Sequence, residues 1–232
     1  MTTTVHAEKT AGATPTSDDQ GDRLFRYSPL AAAVAGRVQA LQAASLKDSP
    51  RAVARIAQLR RAVSAAPGEL PEVWEDTIGV VPEDLLGRGD EPSPSERAAH
   101  HGMTLFALHR QGKSATAHVP QAPFGRAVRE LARHRAIGEG DEAEGVRRRF
   151  DALVTASTAE EGAYHLRGLI LMLRDAGLSI DYGLLAQDLA DLWTPARRDA
   201  ARLRWARQYR MRRSRQPSDA TPDTTVTTEE QA

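Results

Sequence analysis

The chain has 232 residues, no cysteine, and 31 Lys and Arg against 31 Asp and Glu. That length supports one or two small domains with real cores. The lack of cysteine excludes a disulfide framework, a thiolate nucleophile and any Cys-based metal site. No run approaches ~18 consecutive apolar residues, so no membrane span is expected, and the polar, Thr-rich start carries no apolar signal core, which points to the cytoplasm.

The zero formal charge conceals an asymmetry. Residues 1–22 hold four acids and one Lys, and residues 216–232 hold four acids and no base, whereas Arg97 to Arg215 carries 21 basic and 13 acidic residues, a net of +8. Only Lys9, Lys47 and Lys113 are lysines, so the basic charge is almost all guanidinium. The two tails have the composition of disordered segments. Between them every segment has helical periodicity, and none shows sustained period-2 alternation with β-branched residues. The fold class expected is all-α.

Ser28-Pro29 opens a first helix to about Leu46. Ser49-Pro50 opens a second to about Ser64, with Val53, Ile56, Leu59 and Val63 placed on one face. A short helix near Pro71 to Ile78 carries Trp74. Ser93-Pro94-Ser95-Glu96 has the spacing of a capping box and starts a helix to about Arg110. Residues 113–123 read as loop, and Phe124 to Ala136 is helical again. Gly138-Glu139-Gly140-Asp141 is the best internal boundary. It divides an N-terminal helical domain, 23–138, from a C-terminal four-helix bundle, 142–215. The helices expected after it are 142–156, 158–176 with Leu166, Leu169, Ile170 and Leu173 in register, 181–193, and a last one starting at Thr194-Pro195.

That last stretch is expected to run unbroken to Arg215, roughly 31 Å at ~1.5 Å per residue. It contains nine arginines between Arg197 and Arg215, opposed only by Asp199. At ~100° per residue, Ala201, Trp205 and Tyr209 form one stripe. Arg197, Arg204, Arg207 and Arg215 fall on the other side, so the helix should anchor by its aromatic face and present the rest to solvent. Arginine matches phosphate oxygens better than lysine does.

Chemistry of other kinds finds little support. Gly112-Lys113-Ser114 lacks the first glycine of a phosphate loop and follows a helix rather than a strand. His101 and His109 are two helical turns apart, roughly 12 Å, too far to share one metal. Asp181 and Asp188 occupy positions typical of caps and surface acids. No nucleophile is assembled with a base, so no enzyme, cofactor or metal is expected. Three further arginine groups stand out. Arg147, Arg148 and Arg149 precede the inward-pointing Phe150, with Arg147 and Arg149 flanking the buried stripe and Arg148 facing away. Arg167 and Arg174 share one edge of their helix. Arg61 points outward while Arg60 falls on the Ile56/Val63 face, as a paired structural arginine or as a functional one.

Several short patches occur in a distinctive order: Gln-Leu-Arg-Arg-Ala (58–62), Phe-Gly-Arg-Ala-Val-Arg-Glu-Leu (124–131), Val-Arg-Arg-Arg-Phe-Asp-Ala-Leu (146–153), His-Leu-Arg-Gly-Leu-Ile (165–170), Ile-Asp-Tyr-Gly-Leu-Leu-Ala-Gln-Asp-Leu (180–189) and Arg-Trp-Ala-Arg-Gln-Tyr (204–209). As an ordered set, covering about residues 25–213, they resemble the CasB family, the small subunit of the type I-E CRISPR surveillance complex Cascade. The resemblance implies two small helical bundles, no catalytic activity, and two copies packed head to tail among other Cascade subunits. It also implies contact with crRNA and target DNA, notably the displaced strand of the R-loop. By position it carries nucleic-acid contacts onto Arg60, Arg61, Arg97, Arg126, Arg147, Arg148, Arg149, Arg167, Arg197 and Arg198, and onto Arg204 and Arg207 of the final helix. Arg174 joins them from its place beside Arg167. Two other readings are open: a helical transcription regulator, and a structural module whose arginines pair with an acidic protein.

Overall fold

A computed structural model describes residues 25–112, 116–136 and 142–210. The tails, Lys113 and Ser114, the expected boundary at 138–141, and Arg212, Arg213 and Arg215 lie outside the described residues. Among those described there are eight α-helices: α1 (Pro29–Leu46), α2 (Pro50–Arg61), α3 (Pro94–Arg110), α4 (Phe124–Arg135), α5 (Glu142–Thr155), α6 (Ala159–Asp175), α7 (Tyr182–Leu192) and α8 (Arg198–Arg210). Short 3₁₀ turns follow α2 at Ala62–Ser64 and fill the connection to α3, where Pro71–Asp76 carries Trp74. The only extended pairing among the described residues is one isolated parallel bridge, His118 to Ile180. The protein is all-α. None of its described helices is long and apolar enough to cross a membrane.

The helix starts follow their local chemistry. Ser28 accepts from the Ala31 N–H, and Pro29 supplies the first residue of α1. At α3 the capping box is complete: Ser93 accepts from the Glu96 N–H, and Glu96 accepts in return from the Ser93 N–H at 2.6 Å. Thr158 caps α6 through the Glu161 N–H. Asp181 caps α7 by accepting from Gly183 and Leu184, and it also takes the Tyr27 hydroxyl and the Gln121 N–H. One buried carboxylate thus ties the start of α1 and the loop before α4 to the start of α7.

At the centre is α3, buried almost all round from Ala98 to His109, against α2, α6 and α7. Buried on every side, it turns polar residues inward, and two of them pair there. His109 Nδ1 lies 2.8 Å from the Tyr182 hydroxyl, and the Thr104 hydroxyl donates to the His100 carbonyl. Helix α7 passes between α1 and α3. Gly183 permits that approach, since a Cβ there would collide with the Ala31 carbonyl and lie 2.7 Å from the Ala35 methyl. The core is continuous from α1 through α8.

Two expectations about buried faces need correction. Val53 is about half exposed; α2 turns Ala52, Ile56 and Leu59 inward instead, and the buried row continues with Ala62 in the 3₁₀ turn. Asp188 is no surface acid: it is buried, and it accepts from Trp205 Nε1 at 2.7 Å and Arg204 Nε at 2.9 Å.

Candidate nucleic-acid interface

Helix α8 begins later than its sequence suggests. Thr194 does not cap it. Its hydroxyl turns back to the Ala190 carbonyl of α7, and 195–197 form a turn before Arg198. The aromatic stripe is buried as expected. Ala201 and Trp205 have no exposed surface, Trp205 packs on Phe124 and Phe150, and Tyr209 stacks on Phe150 at 5.5 Å. These four rings join α4, α5 and α8 into one aromatic cluster.

The opposite side of α8 is not the free row of guanidinium groups that periodicity suggests. Arg204 lies against α7, donating to buried Asp188 and, at 2.6 Å, to Asp191. Burial still pushes the Asp188 carboxyl above its usual range, against the pull of Arg204. Arg198 donates to the Leu192 carbonyl at the end of α7, and Arg202 to the Val154 carbonyl at the end of α5. Each thereby satisfies a carbonyl in a helix's last turn, where the intrahelical partner has run out and the dipole favours a cation. Arg197 is 72% exposed and only 3.5 Å from Asp191. Arg207 is exposed and without a described partner.

The remaining sequence candidates fall into two groups. Some are engaged. Arg97, in the first turn of α3, reaches Glu91 at 3.2 Å, Glu160 of α6 at 3.3 Å and the Pro92 carbonyl. Arg174 pairs with Asp175. Arg149 lies across α6 with its Cδ where a side chain at Gly168 would stand, 2.9 Å from the ideal Cβ, and its Nη1 is 3.5 Å from Met172 Sδ. Arg126 is confined rather than engaged: it is half-buried, and its Nε is enclosed without a described hydrogen-bond partner. Others are available. Arg61 is exposed, Arg60 is half-buried, and neither meets a carboxylate among the described residues. Arg147 is exposed, with only a loose 3.7 Å approach to Asp151, whereas Arg148, though exposed, is not among the free ones. Arg167 is exposed and donates to a neutral group, the Ser64 hydroxyl, at 2.8 Å.

That last contact places Arg167 of α6 beside the turn that ends α2, three residues after Arg61. Between this turn, α3 and α6 lies a cleft of about 330 Å³, with Arg97 and Arg167 on its walls and Tyr164 at its edge. Tyr164 is 71% exposed. The sequence reading missed both. The cleft is built from three segments far apart in the chain. Tyr164, however, was legible, since it lies two residues off the Leu166 stripe and hence on the far side of α6.

A family model for the CRISPR-associated protein Cse2 matches residues 55–209, two thirds of the chain. The chain belongs to the Cse2 family. The match runs from Arg55 in α2 to Tyr209 in α8, so the cleft, the aromatic cluster and every candidate arginine fall inside the Cse2 region. The crystal structure of CasB from Thermobifida fusca is similar, with 30% identity and a TM-score of 0.62, over 79% of this chain and 99% of that one. The crystal structure of M. ruber CasB is 21% identical with a TM-score of 0.49, over 67% and 83%. No curated protein matches the chain. Within this Cse2 fold the arginines divide by what faces them: Arg198, Arg202 and Arg204 of α8 and Arg97 of α3's first turn meet carboxylates or carbonyls, whereas Arg207 and those at the α2–α6 junction meet none among the described residues.

Proposed function

We propose that this chain is the non-catalytic small subunit of a type I-E CRISPR surveillance complex, Cascade, and that it holds single-stranded nucleic acid without reading its sequence. The partners are other Cascade subunits with their crRNA, a second copy of this chain, and target DNA. The strand held is the displaced one. Opening a duplex over an RNA guide is nearly balanced in base-pairing energy, so contacts to the displaced strand shift that balance towards the open state.

The observation that carries this reading, beside membership of the family, is the α2–α6 junction. There Arg167 lies beside Ser64, three residues after Arg61, and Arg60, Arg61 and Arg167 have no carboxylate partner among the described residues. Guanidinium groups kept free of acids on a helical surface suit phosphate oxygens. The test is single-strand binding across a salt series with the double variant Arg61→Ala, Arg167→Ala. The slope of log K against log salt should shrink by about 0.7 per lost contact, alike for all sequences. In the assembled complex, guide loading should survive and the R-loop should be shorter-lived. An acidic protein partner at this surface predicts the reverse, with DNA binding unchanged and assembly lost.

A further inference from the structure

We propose that the cleft between the 64–67 segment, α3 and α6 seats one unstacked base of the single strand, with Tyr164 as its stacking surface and Arg167 on a flanking phosphate. This rests on the single-strand reading above and adds to it where the strand is gripped and by what.

Three observations converge. The first is shape: the cleft, at about 330 Å³, lies at the small end of the range of ligand pockets, roughly 300–1,000 Å³. The second is the lining. Val63, Pro67, Leu105 and Ala163 give it an apolar wall, which would gain nothing from a phosphate but would shelter the face of a base. Tyr164 stands at the edge, the most exposed of the large hydrophobic side chains described, its ring edge-on to His165 at 5.3 Å and its faces unpaired with any other described aromatic ring. His101 lines the interior; burial holds its imidazole down at about 4, so at neutral pH it offers one donor and one acceptor rather than a further cation.

The third observation is charge. Among the described residues Arg167 is bound only to the Ser64 hydroxyl, and Arg97 is held between Glu91 and Glu160. Arg97 also borders a second cleft of about 490 Å³, where Trp193 and Arg198 stand. The Arg97–Glu160 pair lines both clefts. An apolar slot with an exposed aromatic ring and, in Arg167, one guanidinium with no described carboxylate partner matches a nucleotide: a planar π-system beside an anion. An acidic peptide would satisfy the arginines and leave the ring and the apolar wall unused. Stacking of this kind tolerates any base, in keeping with binding that reads no sequence.

The test uses the full chain and two fluorescein-labelled single strands of equal length and charge, one of thymidines and one with central abasic residues. Wild type should bind the base-bearing strand about tenfold more tightly, within the range of one stacked base. Tyr164→Ala should abolish that preference and leave the salt slope unchanged, while Tyr164→Phe should keep the preference. Because Tyr164 is exposed, its loss leaves the fold intact, which circular dichroism checks. If Tyr164→Ala keeps the wild-type preference while Arg61→Ala with Arg167→Ala still flattens the salt slope, the strand crosses on its phosphates alone. The base cleft is then wrong and the proposed function stands. If neither the tyrosine nor the arginines matter, both fall. If polyaspartate competes in a Tyr164-dependent way and DNA binding ignores the substitution, the cleft takes a peptide and this inference is overturned.

Discussion

Helix α8 and the α2–α6 junction are both arginine-rich, and they use the residue in opposite ways. In α8, Arg198 and Arg202 close the carbonyl ends of α7 and α5, and Arg204 neutralises two acids of α7. At the junction, Arg60 and Arg61 meet no described carboxylate, and Arg167 meets a hydroxyl. Arginine density along a sequence is therefore a poor guide to the surface a polyanion would meet. What decides is whether neighbouring elements bring carboxylates or chain ends within reach. The denser cluster is the more consumed one here.

The comparison can be broken at α8 first, where the effects should be largest. Trp205→Ala removes a fully buried indole from the Phe124–Phe150 cluster and leaves Asp188 short of a donor; it should cost roughly 3–5 kcal/mol. Urea titration measures it, and a loss below ~1 kcal/mol would make α8 an appendage rather than a wall of the core. Arg204→Ala comes next. It strands the buried Asp188 carboxylate, and because Arg204 itself is about a third exposed, the cost should fall at the low end for breaking a buried pair, about 3 kcal/mol. The same substitution at Arg61 or Arg167 should stay within ~0.5 kcal/mol. Equal losses at all three positions would erase the distinction between the two regions.

Acid should weaken the wall between them. His101 and His109, both on α3, are held by burial at about 4, below the ordinary ~6.5 of an unfolded histidine. Above pH ~6.5 neither state carries the proton. Below it the unfolded chain takes up protons that the folded chain refuses, so stability falls between pH ~6.5 and ~4. Together the two should cost about 1–2 kcal/mol at pH 6, read as a lowered Tm across a pH series. A flat Tm from pH 7 to 5 would show that these rings take up protons in place. Last and smallest is the salt dependence: Arg207→Ala should lower the single-strand slope by at most ~0.7, and Arg204→Gln not at all.

Helix existence was legible because caps and periodicity agree, as in Ser93–Glu96 ahead of a mostly apolar run. What failed was facing. Val53 fits the helical stripe by number, yet the stripe that meets α3 is offset to Ala52, Ile56 and Leu59. Arg204 sits opposite Tyr209 on a helical wheel. The wheel assumes one buried side, whereas α8 packs on both α4 and α7. Asp188 looked like a surface acid because its partners, Arg204 and Trp205, lie 16 and 17 residues away. Pairings at that range depend on tertiary packing, which no local pattern encodes. The cleft was illegible for the same reason, while Arg167 on its wall, on a helix with a readable face, was not.

The buried position of Trp205 bears on how the chain is made. Phe124 and Phe150 are synthesised long before residue 205, and until then their shared cluster lacks its third wall. On the ribosome α4 and α5 must wait, with apolar surface uncovered, until α8 clears the exit tunnel. A nascent chain stalled short of residue 205 therefore presents these aromatics to chaperones. The last helix described is the one that ends that exposure.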